Sequence, residues 1–322
     1  ERRFGPQTQG LRLDFMQNNN LLEIKNLRTY FYVRGYVAKA VDNVSLTIKS
    51  GETLGLVGES GCGKSVTAHS IIRLIPDPPG KIEGGDIFFD GQDLLKFSES
   101  QMRKIRGNRI SMIFQEPMTS LNPVFSVGDQ VGEVIRLHQK LSRSGTRERV
   151  IEMFQHVGIP AAEKRLSDYP HQMSGGMRQR VMIAMALACN PKLMIADEPT
   201  TALDVTIQAQ ILDLMNKLKN ETGAAILFIT HDLGVIAEMA QNVAVMYAGK
   251  VMEYTDVKTI YANPKNPYTI GLLQSIPVLG RETKEERLKT ISGVVPSLLN
   301  LPAGCLYNDR CPDVFNDCHR VE

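Results

Sequence analysis

Residues 58–65, GESGCGKS, set Gly58, Gly63, Lys64 and Ser65 at the spacing G-x-x-x-x-G-K-[S/T]. Glycines let a backbone curl until successive N–H groups converge on one anion. TLGLVG before the turn has the pattern of a buried strand, and SVTAHSIIRLI after it has helical spacing. A helix starting there aims the positive end of its dipole at the same anion. In such a cradle Lys64 reaches the β- and γ-phosphates of a nucleotide and Ser65 offers a hydroxyl to Mg2+. A chance match at an ordinary strand–turn–helix corner is the bland alternative, and the flanking segments argue against it.

A phosphate cradle needs a metal carboxylate. In KLMIADEPT four apolar residues end in Asp197, which places the acid at the C-terminal tip of a buried strand, where ligands of α/β sheets bind. Asp197 suits Mg2+ through water, and Glu198 is placed to polarise a water attacking the γ-phosphate. The stretch MSGGMRQR, residues 173–180, sets Ser174, Gly175 and Gly176 before a long helix, a second helix start suited to an anion. One chain does not need two such sites for one γ-phosphate. Two chains arranged head to tail do.

These groups must be carried by a sheet. LLEIKNLRTYFYV, KAVDNVSLTI and ETLGLVG are strand-like, GGDIFFDGQDL is a hairpin with DG as its turn, and a polar, helix-rich stretch covers about Glu116 to Asn190. KLMIADEP, AAILFITHD and VAVMYAGKVME are further strands, with the helix TIQAQILDLMNKLKNET between the first two. Apolar strands alternating with helices imply a parallel or mixed sheet covered on both faces. After Tyr261 the composition turns to Pro, Asn and Gly, then to a cysteine-bearing tail.

The bulk numbers exclude several classes. Among 322 residues, 43% are hydrophobic and 22% charged, and the net charge of +2 makes no electrostatic case for nucleic acid. No apolar run approaches the ~20 residues of a membrane span. The first 20 residues are polar, without a secretory pattern, and suggest a flexible or tag-derived leader with Met16 as the natural start. Five cysteines, an odd number, suit a reducing compartment.

From about Leu21 onward the chain resembles the ATP-binding subunits of ABC transporters: Walker A is GESGCGKS, the Q-loop Gln115, the signature MSGGMRQR, Walker B LMIADEP, the D-loop Ala202-Leu203-Asp204 and the switch histidine His231. The signature departs from the commoner LSGGQ at Met173 and Met177. The resemblance implies a P-loop α/β fold with a mixed central sheet. Residues 21–262 would form the nucleotide-binding domain, with a helical subdomain at about 116–190, and residues 263–322 a small extension. It implies ATP and Mg2+ as cofactors, held by Ser60, Gly61, Cys62, Gly63, Lys64, Ser65 and Val66, with Ser65, Gln115 and Asp197 toward the metal. Glu198, His231 and Gln115 would act in hydrolysis, while Asp204 and Ser174–Gly176 would lie across a dimer interface. The adenine ring needs an aromatic platform; Tyr36 lies at about the right distance, and Tyr32 and Tyr30 compete.

NPKNPYTIGLLQSIP, PAGCLYNDRCPDVFNDC and EPMTSLNPVFSVGDQV resemble the ATPases of oligopeptide, dipeptide and nickel importers. The resemblance implies a chain peripheral at the cytoplasmic face of the membrane, with a second related ATPase subunit (a second copy of this chain being the alternative), two membrane permease subunits and, indirectly, an extracytoplasmic binding protein as partners. The segment after Gln115 would receive a coupling helix. A soluble ABC ATPase of translation or DNA repair is the competing class, but such chains usually fuse two cassettes or carry a coiled coil. Cys305, Cys311 and Cys318 lie within fourteen positions, a clustering that suits a soft metal or an iron–sulfur cluster. Related subunits make a [4Fe–4S] cluster the expectation, with His319 or a further cysteine beyond Glu322 as fourth ligand; plain half-buried thiols are the alternative.

Overall fold

The computed structural model describes residues 19–116, 120–276 and 290–321. Strand β1 (Asn20–Val33) turns through Arg34-Gly35 into β2 (Tyr36–Lys49) and also pairs antiparallel with β4 (Gly80–Phe89). The expected hairpin follows: β4 returns through Asp90-Gly91, φ 50° and 75°, into β5 (Gln92–Asp93). Two consecutive left-handed residues match the right-handed twist of the flanking strands, which is why Asp-Gly marks such turns. These four strands form one antiparallel sheet.

The second sheet carries the chemistry. Its order is β10 (Lys250–Asp256), β9 (Asn242–Tyr247), β3 (Thr53–Val57), β8 (Ala225–Thr230), β7 (Leu193–Asp197), β6 (Ile110–Ile113). All neighbours run parallel except the edge pair β10–β9. Strands β3, β7 and β8 are buried throughout, as continuous apolar runs require when both faces are covered. Alternation then divides their side chains between two cores. Leu193, Ile195, Leu227 and Ile229 pack toward the antiparallel sheet, whereas Met194, Ala196, Ile226 and Phe228 pack toward the helices.

Helix α1 (Lys64–Ile71) begins in the glycine turn and ends sooner than SVTAHSIIRLI suggests. Arg73 adopts φ 53°, and Arg106, just beyond α2 (Glu99–Ile105), donates to the Ile72 and Arg73 carbonyls at 2.7 and 3.0 Å. A guanidinium thus replaces the N–H groups of the missing turn. The polar middle supplies α3 (Val127–Gln139), α4 (Arg143–His156), α5 (Ala162–Arg165) and α6 (Gly175–Leu187), all packed on the second core. Helix α7 (Val205–Thr222) is N-capped by Asp204, whose carboxylate accepts from the Ile207 N–H at 2.9 Å. Helix α8 (Leu233–Met239) covers β3 and β8.

Beyond β10 come α9 (Val257–Ala262) and α10 (Pro267–Gln274). Residues 290–321 then fold back so that Leu306 and Tyr307 are buried in the same core as Val243 and Val245. The rings of Tyr247, Tyr268 and Tyr307 meet with centroids 4.6–5.3 Å apart. No helix among the described residues is long and apolar enough to cross a membrane. Residues 1–18 of the expected leader, and residues 117–119 of the expected coupling-helix segment, lie outside the described residues.

Candidate phosphate-binding site

Between β3 and α1 the loop takes the backbone that its glycines permit. Gly58 has φ 150° and Gly63 φ 109°. A Cβ on Gly58 would lie 2.2 Å from the Met246 carbonyl oxygen, and one on Gly63 2.3 Å from that of Ala40. The requirement is therefore steric as well as conformational, because β9 and β2 press against the turn. Cys62 is fully buried beneath the loop, packed as a small apolar residue. The Lys64 amine donates to the Gly58 and Glu59 carbonyls at 2.7 and 3.1 Å. Gly63→Ala is expected to cost about 3 kcal/mol or more, since strain and a backbone clash add. A lowered denaturation midpoint together with lost nucleotide binding is the predicted readout, and an unchanged midpoint would contradict the steric account.

Asp197, at the C-terminal tip of β7, is 2% exposed and accepts from the Ser65 hydroxyl at 3.1 Å. Burial pushes its carboxyl above the usual carboxylate range, against the lowering effect of the Ser65 hydrogen bond. The pair opens on a cleft of about 440 Å3 whose lining also includes His69, Phe114 and Gln115. A hydroxyl, a carboxylate and an amide oxygen form the hard donor set that suits Mg2+, and at Gly61 in the loop beside them a Cβ would meet nothing within 4 Å.

Three side chains converge on Glu198. Gln115 Nε2 and the Thr201 hydroxyl donate to its Oε2 at 3.1 and 2.9 Å, and His231 Nδ1 lies 3.5 Å from Oε1. Glu198 has φ 48°, a left-handed backbone uncommon for a residue with a side chain, while its N–H is held by the Ile229 carbonyl at 2.9 Å. The turn swings its carboxylate away from the direction that strand continuation would give. The carboxylate stays nearly buried, whereas His231 is 60% exposed. Thr201 escaped the sequence reasoning; its only signal is a hydroxyl three residues past the acid, inside a tight turn.

Ser174 caps α6, its Oγ accepting from the Met177 N–H at 3.3 Å. Among the described residues no hydrogen bond ties Ser174, Gly175 or Gly176 to the phosphate loop; Gly176 instead faces Ile207 of α7, where a Cβ would meet its Cγ2 at 2.8 Å. Of the three candidate aromatic platforms, Tyr30 donates to Asp42 at 2.6 Å and Tyr32 to Glu83 at 2.6 Å. Tyr36 is the most exposed of them at 63%, four residues before the Ala40 carbonyl that abuts Gly63.

The tail corrects one expectation. Among the described residues, no group of three or more His, Cys, Asp or Glu side chains is arranged to hold a metal ion, so the iron–sulfur cluster expected at Cys305, Cys311 and Cys318 is not supported. Cys305 and Cys311 are half-buried against the apolar core, and burial pushes the Cys311 thiol up, away from the thiolate that a soft metal needs. The Cys318 carbonyl accepts from the Cys305 N–H at 2.8 Å, so the cysteine spacing closes a compact turn. All five cysteines are free.

Comparison with known proteins agrees with this geometry. Residues 41–201 match the family model described as ABC transporter, and residues 252–318 that of the oligopeptide/dipeptide transporter C-terminal region. The oligopeptide transport ATP-binding protein AppD of Bacillus subtilis is 52% identical over 300 residues, covering 93% of this chain and 91% of AppD. The dipeptide transport ATP-binding protein DppD of the same organism is 50% identical over 301 residues, covering 94% and 89%. Among solved structures, the ATP-binding cassette MJ0796, in a dimeric post-hydrolysis state bound to ADP and phosphate, superposes with a TM-score of 0.66 at 29% identity, covering 73% of this chain and 98% of that one.

Proposed function

Since the chain belongs to the ABC transporter ATP-binding family, in the branch with the oligopeptide/dipeptide transporter C-terminal region, we propose that it hydrolyses ATP to power import of di- or oligopeptides. The observation that carries this reading is the meeting of Gln115, Thr201 and His231 on Glu198, beside the Ser65–Asp197 pair at the C-terminal edge of a parallel sheet. Nickel or another small solute is the alternative cargo.

In this reading the N–H groups of Ser60, Gly61, Cys62, Gly63, Lys64, Ser65 and Val66 cradle the phosphates, and the Lys64 amine moves from the loop carbonyls to phosphate oxygen. Ser65, Asp197 and Gln115 would hold Mg2+, which when bound would supply positive charge against the phosphates. Glu198 orients and deprotonates the attacking water, with Gln115 and Thr201 fixing one carboxylate oxygen and His231 contacting the γ-phosphate beside the other. Tyr36, whose ring is the least engaged of the three, stacks on adenine. Ser174, Gly175 and Gly176 of one chain close on the nucleotide held by another, with Asp204 at the interface.

Cassettes of this family work as dimers with membrane permease subunits, peripheral at the cytoplasmic face. The finer assembly is our proposal: a second related ATPase chain, two permease subunits and an extracytoplasmic binding protein, with residues 21–262 as the nucleotide domain and 263–322 as the family-specific extension. Co-sedimentation tests it. The protein is expected to pellet with membranes that contain its permease partners and to hydrolyse ATP in a reaction abolished by EDTA. Recovery only with ribosomes or DNA would overturn the transport reading.

A further inference from the structure

Glu59, the second residue of the phosphate loop, has four of its polar atoms engaged by groups outside the Walker glycines. Its two carboxylate oxygens accept from Arg310 Nη1 and Nη2 at 2.8 and 3.0 Å, a fork-to-fork pair across 251 positions of sequence. The Tyr268 hydroxyl accepts from the Glu59 N–H at 3.0 Å. Finally, the Glu59 carbonyl accepts from the Lys64 amine at 3.1 Å. Bidentate guanidinium–carboxylate pairs add geometric definition that a single hydrogen bond lacks.

The arginine is itself held in place. Its side chain is 4% exposed, against 28% for Glu59. Nε donates to the Ser292 carbonyl at 2.9 Å, Nη1 also reaches the Tyr247 hydroxyl at 3.3 Å, and the guanidinium lies 5.7 and 6.0 Å from the Tyr247 and Tyr307 ring centres. Gly293 borders the stem, where a Cβ would come within 3.1 Å of Arg310 Cγ. Tyr268 is fully buried in α10. Two separate pieces of the C-terminal region therefore grip one residue of the phosphate loop.

We propose that Arg310 and Tyr268 are positioning residues for the phosphate loop, fixing Glu59 and through it the Lys64 amine in a conformation ready for phosphate. The inference rests on the nucleotide reading of that loop and adds to it a role for the extension. A loop with glycines at 58, 61 and 63 has much conformational freedom to lose on binding, and a pre-set Glu59 removes part of that cost beforehand. Arg310 also neutralises a carboxylate that would otherwise stand beside the phosphates. Removing the arginine should therefore harm binding more than removing the acid, and removing both should harm it less than the arginine alone.

The test is a double-mutant cycle on the full chain, reading Kd for a fluorescent ATP analogue with Mg2+, kcat and KM for ATP, and the thermal midpoint. Arg310→Ala is expected to raise Kd about tenfold, Glu59→Gln about threefold, and the double variant about threefold instead of the thirtyfold that independent sites would give. KM should rise by a larger factor than kcat falls. Arg310→Lys, which keeps the charge and loses the fork, should fall between wild type and Arg310→Ala. Multiplicative losses, or a lower midpoint with Kd unchanged in Arg310→Ala, would overturn the proposal; should Arg310→Ala fail to fold, the Lys variant alone decides, and an unchanged Kd there counts against it. Failure of the wild-type protein to bind the analogue would instead sink the nucleotide reading itself.

Discussion

Replacing Glu198 by Gln is expected to cut ATP turnover by about 1,000-fold while ATP-dependent dimerisation persists, because only the transition-state interaction is lost. The change is nearly isosteric, and the amide oxygen can still accept from Gln115 and Thr201, which now hold the carboxylate at 3.1 and 2.9 Å. The backbone turn at φ 48° is common to both side chains, so the strained placement survives. What disappears is the basicity needed to take a proton from water. Steady-state hydrolysis and size-exclusion chromatography with and without ATP read the two halves separately. Turnover within tenfold of wild type would show that another group is the base.

The second large effect sets function against stability. Asp197→Asn is expected to lower Mg2+-dependent hydrolysis by about 100-fold or more, yet to raise the thermal midpoint of the metal-free protein by roughly 2 °C or more at neutral pH. The carboxyl is 2% exposed, accepts one hydrogen bond from Ser65, and has Glu198 next to it in sequence. Its titration lies above the usual carboxylate range because burial disfavours the charge. An acid raised in this way holds its proton longer folded than unfolded. Stability therefore falls as pH rises from the unfolded pKa through the folded one. The asparagine variant escapes that loss, so its advantage should appear at neutral pH and shrink as pH drops into the carboxylate range. Thermal melts in EDTA at several pH values measure it. An asparagine variant less stable than wild type at neutral pH would contradict this account of Asp197.

Much of the site was legible because its chemistry is local in sequence. The phosphate loop, the acid pair at 197–198 and the helix start at Ser174 each declare themselves within ten residues, and the strands that carry them show as uninterrupted apolar runs. Gln115 and His231 do meet at Glu198, although each is uninformative when read alone. Contacts made by folding, across long separations, were not legible. Nothing near Glu59 announces Arg310, and nothing near Arg73 announces that Arg106 will end α1 early. The cysteine tail misled for the opposite reason. Its spacing resembles a ligand set, but burial against the Val243 and Tyr247 core, a property of the whole fold, decides what such thiols do.

The position of β3 has a consequence for biosynthesis. This strand, whose end becomes the phosphate loop, pairs on one side with Ala225–Thr230 and on the other with Asn242–Tyr247. A ribosome that has just completed the strand and loop through Lys64 has made the cradle's sequence, but neither neighbour that will flank its strand yet exists. The second bare edge of this apolar strand must wait until Tyr247, about 190 residues after Val57, which at ordinary elongation rates is on the order of ten seconds or longer. During that interval the nascent chain presents TLGLV as an adhesive segment, and chaperone capture should centre on it. Nucleotide can then act as a folding ligand only near the end of synthesis, once Asn242–Tyr247 has docked and closed the sheet.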